Sequence, residues 1–400
     1  MIARKNWLNK TLFTAAVFAV ALAPSAGAAP KAVAIKQMVQ ITQDASAEAM
    51  VVTSKYILTY ANFVGQSADI KIRAIDFTGA QIWEKTIDSG WDEVVTAITV
   101  DAQGSIWLAG NSAAAPSAET STATTGALNP DAINSESTTA LRPDMKNIAL
   151  WQLSSTGDLL AQVNSTTLQP ALVDAISANA TGTSVLLARD SGQSLVSVKA
   201  GSFSKELTLG TAKSKFKTAL RGSDGSTYLF GSSSETLGGK KLAGKVDGIL
   251  LKVSKTGTIA SVVRSSAPKA FRDWQSATTS LFLTGVVKSG NTIETAVTKF
   301  TSTFAPTWTA RFASTGLSLA TPAANGSVFA IFEPTSLIKG VSGWKVTKGQ
   351  SAALLFDSKG AISGAFTSPL LNSPISTGYS GDGGLIVLTS TGIILRTPAR

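Results

Sequence analysis

The stretch "KFKTALRGSDGSTYLFGSSSETLGGKKLAGKVDGILLKVSKTGTIASVVRSS", Lys215 to Ser266, holds the plan of the whole chain. It reads as strand, Asp-Gly turn, strand, long loop, strand, Thr-Gly turn, strand. Asp224-Gly225 suits the positive-φ positions of a two-residue hairpin, and Lys255-Thr256-Gly257 supplies a second hairpin. Tyr228, Leu229 and Phe230, then Ile249, Leu250 and Leu251, are apolar at consecutive positions, so both faces of these two strands are expected to be covered. Four antiparallel strands follow, with the middle pair sandwiched.

The same grammar recurs along the chain, with turns at Ser54, Gly104, Gly182, Gly225, Thr279, Gly326 and Gly383. Ser54 and Thr279 are copies in which Ser or Thr replaces Gly. A unit of roughly 50 residues is the size of a propeller blade rather than of most solenoid repeats. The chain is therefore expected to be all-β, a seven-bladed β-propeller of four-stranded antiparallel blades, forming one domain over residues 29–400. A charged fraction of only 15% agrees with many short strands and few surface helices. The interval from Gly104 to Gly182 is the longest because it contains Ala113 to Lys146, rich in Ala, Ser, Thr and Pro and without a period. That low-complexity stretch is expected to be a disordered loop between the second and third strands of blade two. The C-terminal "ISTGYSGDGGLIVLTSTGIILRTPAR" offers only three strands. The alternating segment Ala32 to Ile41 is expected to pair beside Ile393 to Leu395 and close the ring, which removes two open sheet edges.

The first residues have a different character. Arg4, Lys5 and Lys10 precede an apolar stretch from Leu12 to Ala23, then Pro24 and a run of small residues to Ala29, the three-part layout of a secretory signal peptide. Residues 1–28 are assigned to it, with cleavage after Ala28. The apolar stretch is shorter than the ~20 residues a spanning helix needs, so no transmembrane segment is expected after cleavage. Export places the protein in the periplasm, at the cell surface or outside the cell. With no Cys available at the new terminus, lipid anchoring is excluded. The net charge is +10, and loss of Arg4, Lys5 and Lys10 leaves the balance basic. Cell-wall polymer, polysaccharide, phospholipid surfaces or a protein are the expected partners. Nucleic acid is not, because no basic run of five or more residues occurs.

The repeat resembles the bacterial seven-bladed β-propeller repeats of secreted proteins, written as Asp-Gly-apolar-aromatic-x-x-Gly, a loop, then Asp-apolar-Leu-x-Lys-x-x-x-x-Gly. Asp224, Gly225, Tyr228 and Gly231 carry it, followed by Asp247, Leu251, Lys252 and Gly257. Blade two carries it through Asp101, Gly104, Trp107 and Gly110, then Leu153 and Gly157. These are turn and packing positions, so the resemblance implies fold and extracellular context, with no shared chemistry. A second stretch, with Asp76, Thr78, Gly79 and Trp83, is similar to the tryptophan-docking strands of quinone-dependent dehydrogenases and outer-membrane assembly propellers. Its plainer reading is a Trp filling the gap between blades.

The chain has no His and no Cys, which removes His-dependent triads, imidazole bases and thiol chemistry. No cofactor, no metal and no catalytic residue is assigned, and a monomer is expected. Carboxylate chemistry is the alternative: Asp92, Glu93 and Asp273 stand where the chain enters innermost strands, as in a glycosidase or lyase with acids at the channel mouth. Trp91 and Trp274 beside them are candidates to stack on a sugar. The plain reading of such Asp residues is a turn acceptor. "VDAQGSIW" approaches the Asp-box of sialidases, with its Gly one residue late. For binding, the long second-to-third-strand loops matter most. One carries Lys240, Lys241 and Lys245; the other carries Lys339, Lys345 and Lys348 around Trp344. They are expected on one rim, presented together by adjacent blades to an anionic or carbohydrate ligand.

Overall fold

The computed structural model describes residues 32–65, 67–113, 145–166 and 171–398. The segment assigned as a signal peptide and nearly all of the 113–146 loop lie outside these. That loop does join the second and third strands of its sheet, Ile106–Ser112 and Asn147–Leu153. No helix among the described residues is long and apolar enough to cross a membrane.

Sheet A comprises Ala49–Val52, Ile57–Val64, Ala68–Ile75 and Gln81–Ile87. Sheet B comprises Glu93–Val100, Ile106–Ser112, Asn147–Leu153 and Leu159–Thr166. Sheet C has Leu172–Asn179, Gly182–Arg189 and Gly192–Lys199, with an outer strand broken into Ser202–Phe203 and Leu207–Thr208. Sheet D is the repeat quoted first, as Ser214–Arg221, Thr227–Ser233, Asp247–Val253 and Ile259–Ser265. Sheet E has nine strands: Phe271–Ala277, Phe282–Ser289, Thr292–Phe300, the long Pro306–Pro322, Val328–Pro334, Gln350–Phe356, Ile362–Asn372, Val33–Gln37 and Val341–Ser342. Sheet F is Pro374–Ser380, Gly384–Thr389, Ile393–Arg396 and Val39–Gln43.

Each turn position read from the sequence falls at a hairpin between an innermost strand and the next one out. Gly104 and Gly225 have φ of +85° and +79°, the conformation that made Gly the expected residue. The outer hairpins share another device. Asp76 Oδ1 accepts from the Thr78 and Ala80 amides at 2.8 and 3.0 Å, and Asp357 does the same for Lys359 and Ala361. Ser154 and Ser254 reproduce part of it with a hydroxyl. Local acceptors of this kind hold the turn without help from the rest of the fold.

Cores lie between sheets rather than within them. Leu229 enters a cluster shared with Leu186 and Leu195 of sheet C, whereas its neighbour Phe230 enters one shared with Trp274, Leu283 and Phe300 of sheet E. Leu250 and Leu251 divide in the same way, as consecutive apolar residues on a strand covered on both faces must. Met50, Ile57 and Ile75 of sheet A pack against Ile386, Leu388 and Ile394 of sheet F. Trp83 fills the space between sheets A and B, lying so close over Gly157 that an added Cβ would sit 2.7 Å from its ring. Trp308 covers Gly360 in the same manner.

The N-terminal strand behaves differently from expectation. Only its second half lies against sheet F, where Gln40 pairs with Leu395 and Gln43 with Ile393. Val33–Gln37 runs parallel to Ile362–Asn372 in sheet E, with Ile35 opposite Ala365. Met38 explains the break. It sits between the two strands, buried in the cluster that holds Phe329, Leu385 and Leu395, and its burial carries the chain from one sheet edge to the next.

Innermost strands carry a bulge at one level, between Val95 and Ala97, Val173 and Ala175, Phe216 and Thr218, and Trp274 and Ser276. Motif glycines Gly110 and Gly231, and Gly285 with them, lie opposite three of these bulges. A Cβ at Gly231 would fall onto the Lys215 carbonyl oxygen. Backbone cannot give way as a side chain can, so Gly231→Ala should cost well beyond the ~1–3 kcal/mol of a left-handed non-glycine residue and leave little folded protein. Gly257→Ala, at φ +78° with open space around it, should cost only that strain. Urea denaturation of both variants checks the order.

Candidate functional site

In each up-and-down sheet the second strand runs against the first, so second-to-third connections emerge on the face where innermost strands begin. The two Lys-bearing loops, 234–246 and 335–349, therefore share a face with the fourth-to-first connections. They do not belong to adjacent units. The hairpin strands Phe282–Ser289 and Thr292–Phe300 come between them, joined by a tight turn at Gly290 and Asn291.

Loop 234–246 is held from below. Leu237 is buried, and its amide and carbonyl exchange hydrogen bonds with Lys240 around Gly238 and Gly239, both at positive φ. Asp247, fully buried at the start of its strand, accepts from the Ala243 amide at 2.9 Å and the Gly244 amide at 2.7 Å. Arg264 donates to Asp247 at 3.0 Å, to the Lys240 carbonyl at 3.0 Å and to the Glu235 carbonyl. Burial opposes charge on Asp247, but these amides, Ser266 and Arg264 prevail and hold its carboxyl below the ordinary 3.8. With its backbone fixed, the loop presents Lys240, Lys241, Leu242 and Lys245 to solvent.

Loop 335–349 is fixed by apolar anchors. Ile338 and Trp344 are buried with Val33, Ile35 and Val341, and Val341–Ser342 pairs in parallel with Val33–Gln37. The Gly349 amide donates to Glu333 at 2.7 Å. Trp344 is thus a packing residue that clamps the N-terminal strand, not a ring open to a sugar. Lys339, Lys345 and Lys348 remain exposed.

At the channel mouth, side chains of the bulges join neighbouring sheets. Asn62 brackets Val95, accepting from its amide and donating to its carbonyl at 2.8 Å each. Thr96 Oγ1 donates to the Val173 carbonyl. Asp174 accepts from Gln193, which also bonds both amide and carbonyl of Phe216. Lys217 pairs with Asp273 at 2.5 Å, and Gln275 accepts from the Ser318 amide at 2.8 Å. Met50 of sheet A donates to Ser376 of sheet F. Burial pushes the Asp174 carboxyl up, opposed by Gln193 and Lys215. A cavity of about 620 Å3 opens here, lined by Asp174, Arg189, Gln193, Lys215 and Lys217.

The carboxylates singled out in the sequence do not form an exposed pair. Asp92 accepts from the Ala68 amide at 2.6 Å. Glu93 is sealed in the interior, bonded to Ser89, and burial raises its carboxyl. Asp273 is buried in its pairing with Lys217. Trp274 is wholly buried, edge-on to Phe300 and beneath Arg272, so its ring offers no face to a ligand. Burial and then repulsion from Arg311 bring the Arg272 guanidinium down to about 10. Only Trp91 of the two proposed stacking residues is exposed, at 44%.

Asp174, Gln193 and Arg264 escaped the sequence reading. Asp174 and Gln193 stand in ordinary strand alternation, and the bulge frees Asp174 from the ladder beside Gln193. Arg264 shares its sheet with Asp247, but nothing in sequence spacing reveals their pairing.

Radial sheets with shared inter-sheet cores make the chain an all-β β-propeller built of four-stranded antiparallel blades. No protein-family model matches the sequence, and no curated protein matches it. Solved structures do. The chain is similar to a streptogramin B lyase, with TM-score 0.51 and 11% identity over 91% of this chain and 97% of that one. It is similar to virginiamycin B lyase from Staphylococcus aureus, with TM-score 0.50 and 11% identity over 90% and 97%. The Myceliophteria thermophila Cps50 (Swd1) β-propeller domain gives TM-score 0.52 and 9% identity over 91% and 100%. At such identities the likeness is one of fold.

Asp247→Asn removes a charge while leaving Arg264 buried, a loss of about 3–5 kcal/mol at neutral pH for a broken buried pair. Because the folded carboxyl is held below its unfolded value, its contribution is complete above ~4 and fades as pH falls through the folded value. Denaturant melts of wild type and variant should therefore differ most near pH 7 and converge in acid.

Proposed function

We propose that the chain forms a ring of seven blades closed by its N-terminal strand, and that it is exported to act as a binding or scaffolding module at the cell surface or in the periplasm. The seven-blade count divides sheet E in two. Its long strand breaks pairing between Ser314 and Ser318, at Thr315-Gly316-Leu317, with the half before completing one set of four and the half after opening the next. Seven inner hairpins support the same count. Closure is supported by Val39–Gln43 beside Ile393–Arg396 and by the Met50 to Ser376 bond. If closure depends on this strand, deleting residues 32–43 will abolish cooperative melting; a truncated chain that melts like the whole one overturns that part.

One observation carries the binding reading: two rigid loops on one face present Lys240, Lys241, Lys245, Lys339, Lys345 and Lys348 with no acidic residue among their exposed positions. An anionic ligand, whether cell-wall polymer, acidic polysaccharide or protein, suits such a face. A binding screen against cell-wall polymers and glycans, repeated with Lys240, Lys241 and Lys245 changed to Gln, tests it. Unchanged binding sends the site elsewhere, with the channel-mouth cavity and Trp91 next in line. Secretion is tested by fractionation and N-terminal sequencing, where cytosolic protein retaining its first 28 residues refutes export. The alternative, a carbohydrate-active enzyme, requires polysaccharide turnover that Asp92→Asn or Asp273→Asn abolishes.

A further inference from the structure

The two basic loops also expose aliphatic side chains, and this pairing points beyond a soluble anion. Leu242 is 37% exposed between Lys241 and Lys245, Leu337 is 71% exposed beside Lys339, and Val346 is 40% exposed between Lys345 and Lys348. Within the loops only Glu235 is acidic, tied down by Thr211 and Ser214, and the connections between them at 266–270, 289–291 and 314–317 add Lys269 and no acid. Loop backbones are fixed by Asp247, Arg264 and Leu237 in one case and by Ile338 and Trp344 in the other. The exposed aliphatics are therefore held at fixed positions among the lysines, where an apolar boundary can receive them.

From this geometry we infer that the face of sheet D and the adjoining part of sheet E docks on an anionic lipid bilayer, lysines on headgroups and Leu242, Leu337 and Val346 in the acyl boundary. The inference rests on the binding reading above and names its ligand. A soluble polyanion satisfies the lysines but leaves the aliphatics in water. A saccharide calls for exposed aromatic rings, and the loop's own ring, Trp344, is buried. An anionic lipid surface supplies negative charge and apolar depth at one boundary. The opposite sector of the same face is excluded, because Trp91 there stands among Asp88 and Asp92, which anionic headgroups repel. The molecule should sit tilted, basic sector down.

Sedimentation with vesicles of phosphatidylglycerol and phosphatidylcholine tests this, with every variant sharing one N-terminus so that the Leu12 to Ala23 stretch contributes equally. Wild type is expected to bind anionic vesicles, to bind neutral ones far less, and to be released by 1 M salt, where screening shortens to roughly 3 Å. Changing Lys240, Lys241 and Lys245 to Gln should weaken partitioning about a hundredfold, near fivefold for each charge. Leu242→Ser with Leu337→Ser should weaken it by roughly tenfold or more, while leaving binding to dextran sulfate unchanged. All four side chains and Leu337 are exposed, and thermal melts confirm that the variants stay folded. If the Leu changes leave vesicle binding intact, or dextran sulfate is bound as tightly as the vesicles, the lipid assignment falls and the anionic-ligand reading stands. If the Lys changes affect neither vesicles nor polymer, both fall.

Discussion

Every sheet in this protein ends inward on a strand whose outer neighbour is a strand but whose inner neighbour is only the channel. Its backbone groups on that side need partners. The structure supplies them with side chains from the neighbouring sheet: Asn62 on Val95, Thr96 on Val173 and Gln193 on Phe216. Because these bonds run from one sheet to another, they fix the angle between sheets as well as satisfying polar groups. The bulges make this feasible by freeing one residue per innermost strand from its ladder. Glycine at positions 110, 231 and 285 is the consequence, since the bulged backbone leans over the place where a side chain would start.

Much of this was legible in the sequence, and the divisions are instructive. Turns announce themselves because Asp-Gly and Thr-Gly pairs have few other uses, and the sandwiched strands because runs such as Leu229-Phe230 and Leu250-Leu251 suit nothing half-exposed. The motif glycines Gly110 and Gly231 were visible as a pattern, but not their reason, which lies in a partner strand elsewhere in the chain. Tryptophan is the least legible residue in this chain. A Trp beside an acid or among lysines looks the same in sequence whether it faces water, as Trp91 does, or fills a core, as Trp274 and Trp344 do. Local spacing also could not reveal that one short N-terminal strand serves two sheets, because that depends on where Met38 finds a cavity to fill.

Rigid loops and exposed charge have a common origin here. Asp247 belongs to the repeat pattern, and its carboxylate organises the very loop that carries Lys240, Lys241 and Lys245. The repeat's structural residues thereby create a fixed platform on which the loop's variable residues can be displayed. A loop ordered in advance spends little conformational entropy on contact, so even modest individual interactions can add up to useful affinity.

The pairing of Val39–Gln43 with Ile393–Arg396 joins segments separated by almost the whole chain. Such a contact can form only after everything between has been synthesised, and entropy of loop closure delays it further. Until then the last sheet lacks its outer strand, and the core shared by Met50 and Ile394 lacks Ile41. The two ends of the chain thereby hold one another, and whatever pulls Val39–Gln43 away also uncovers the edge of Ile393–Arg396.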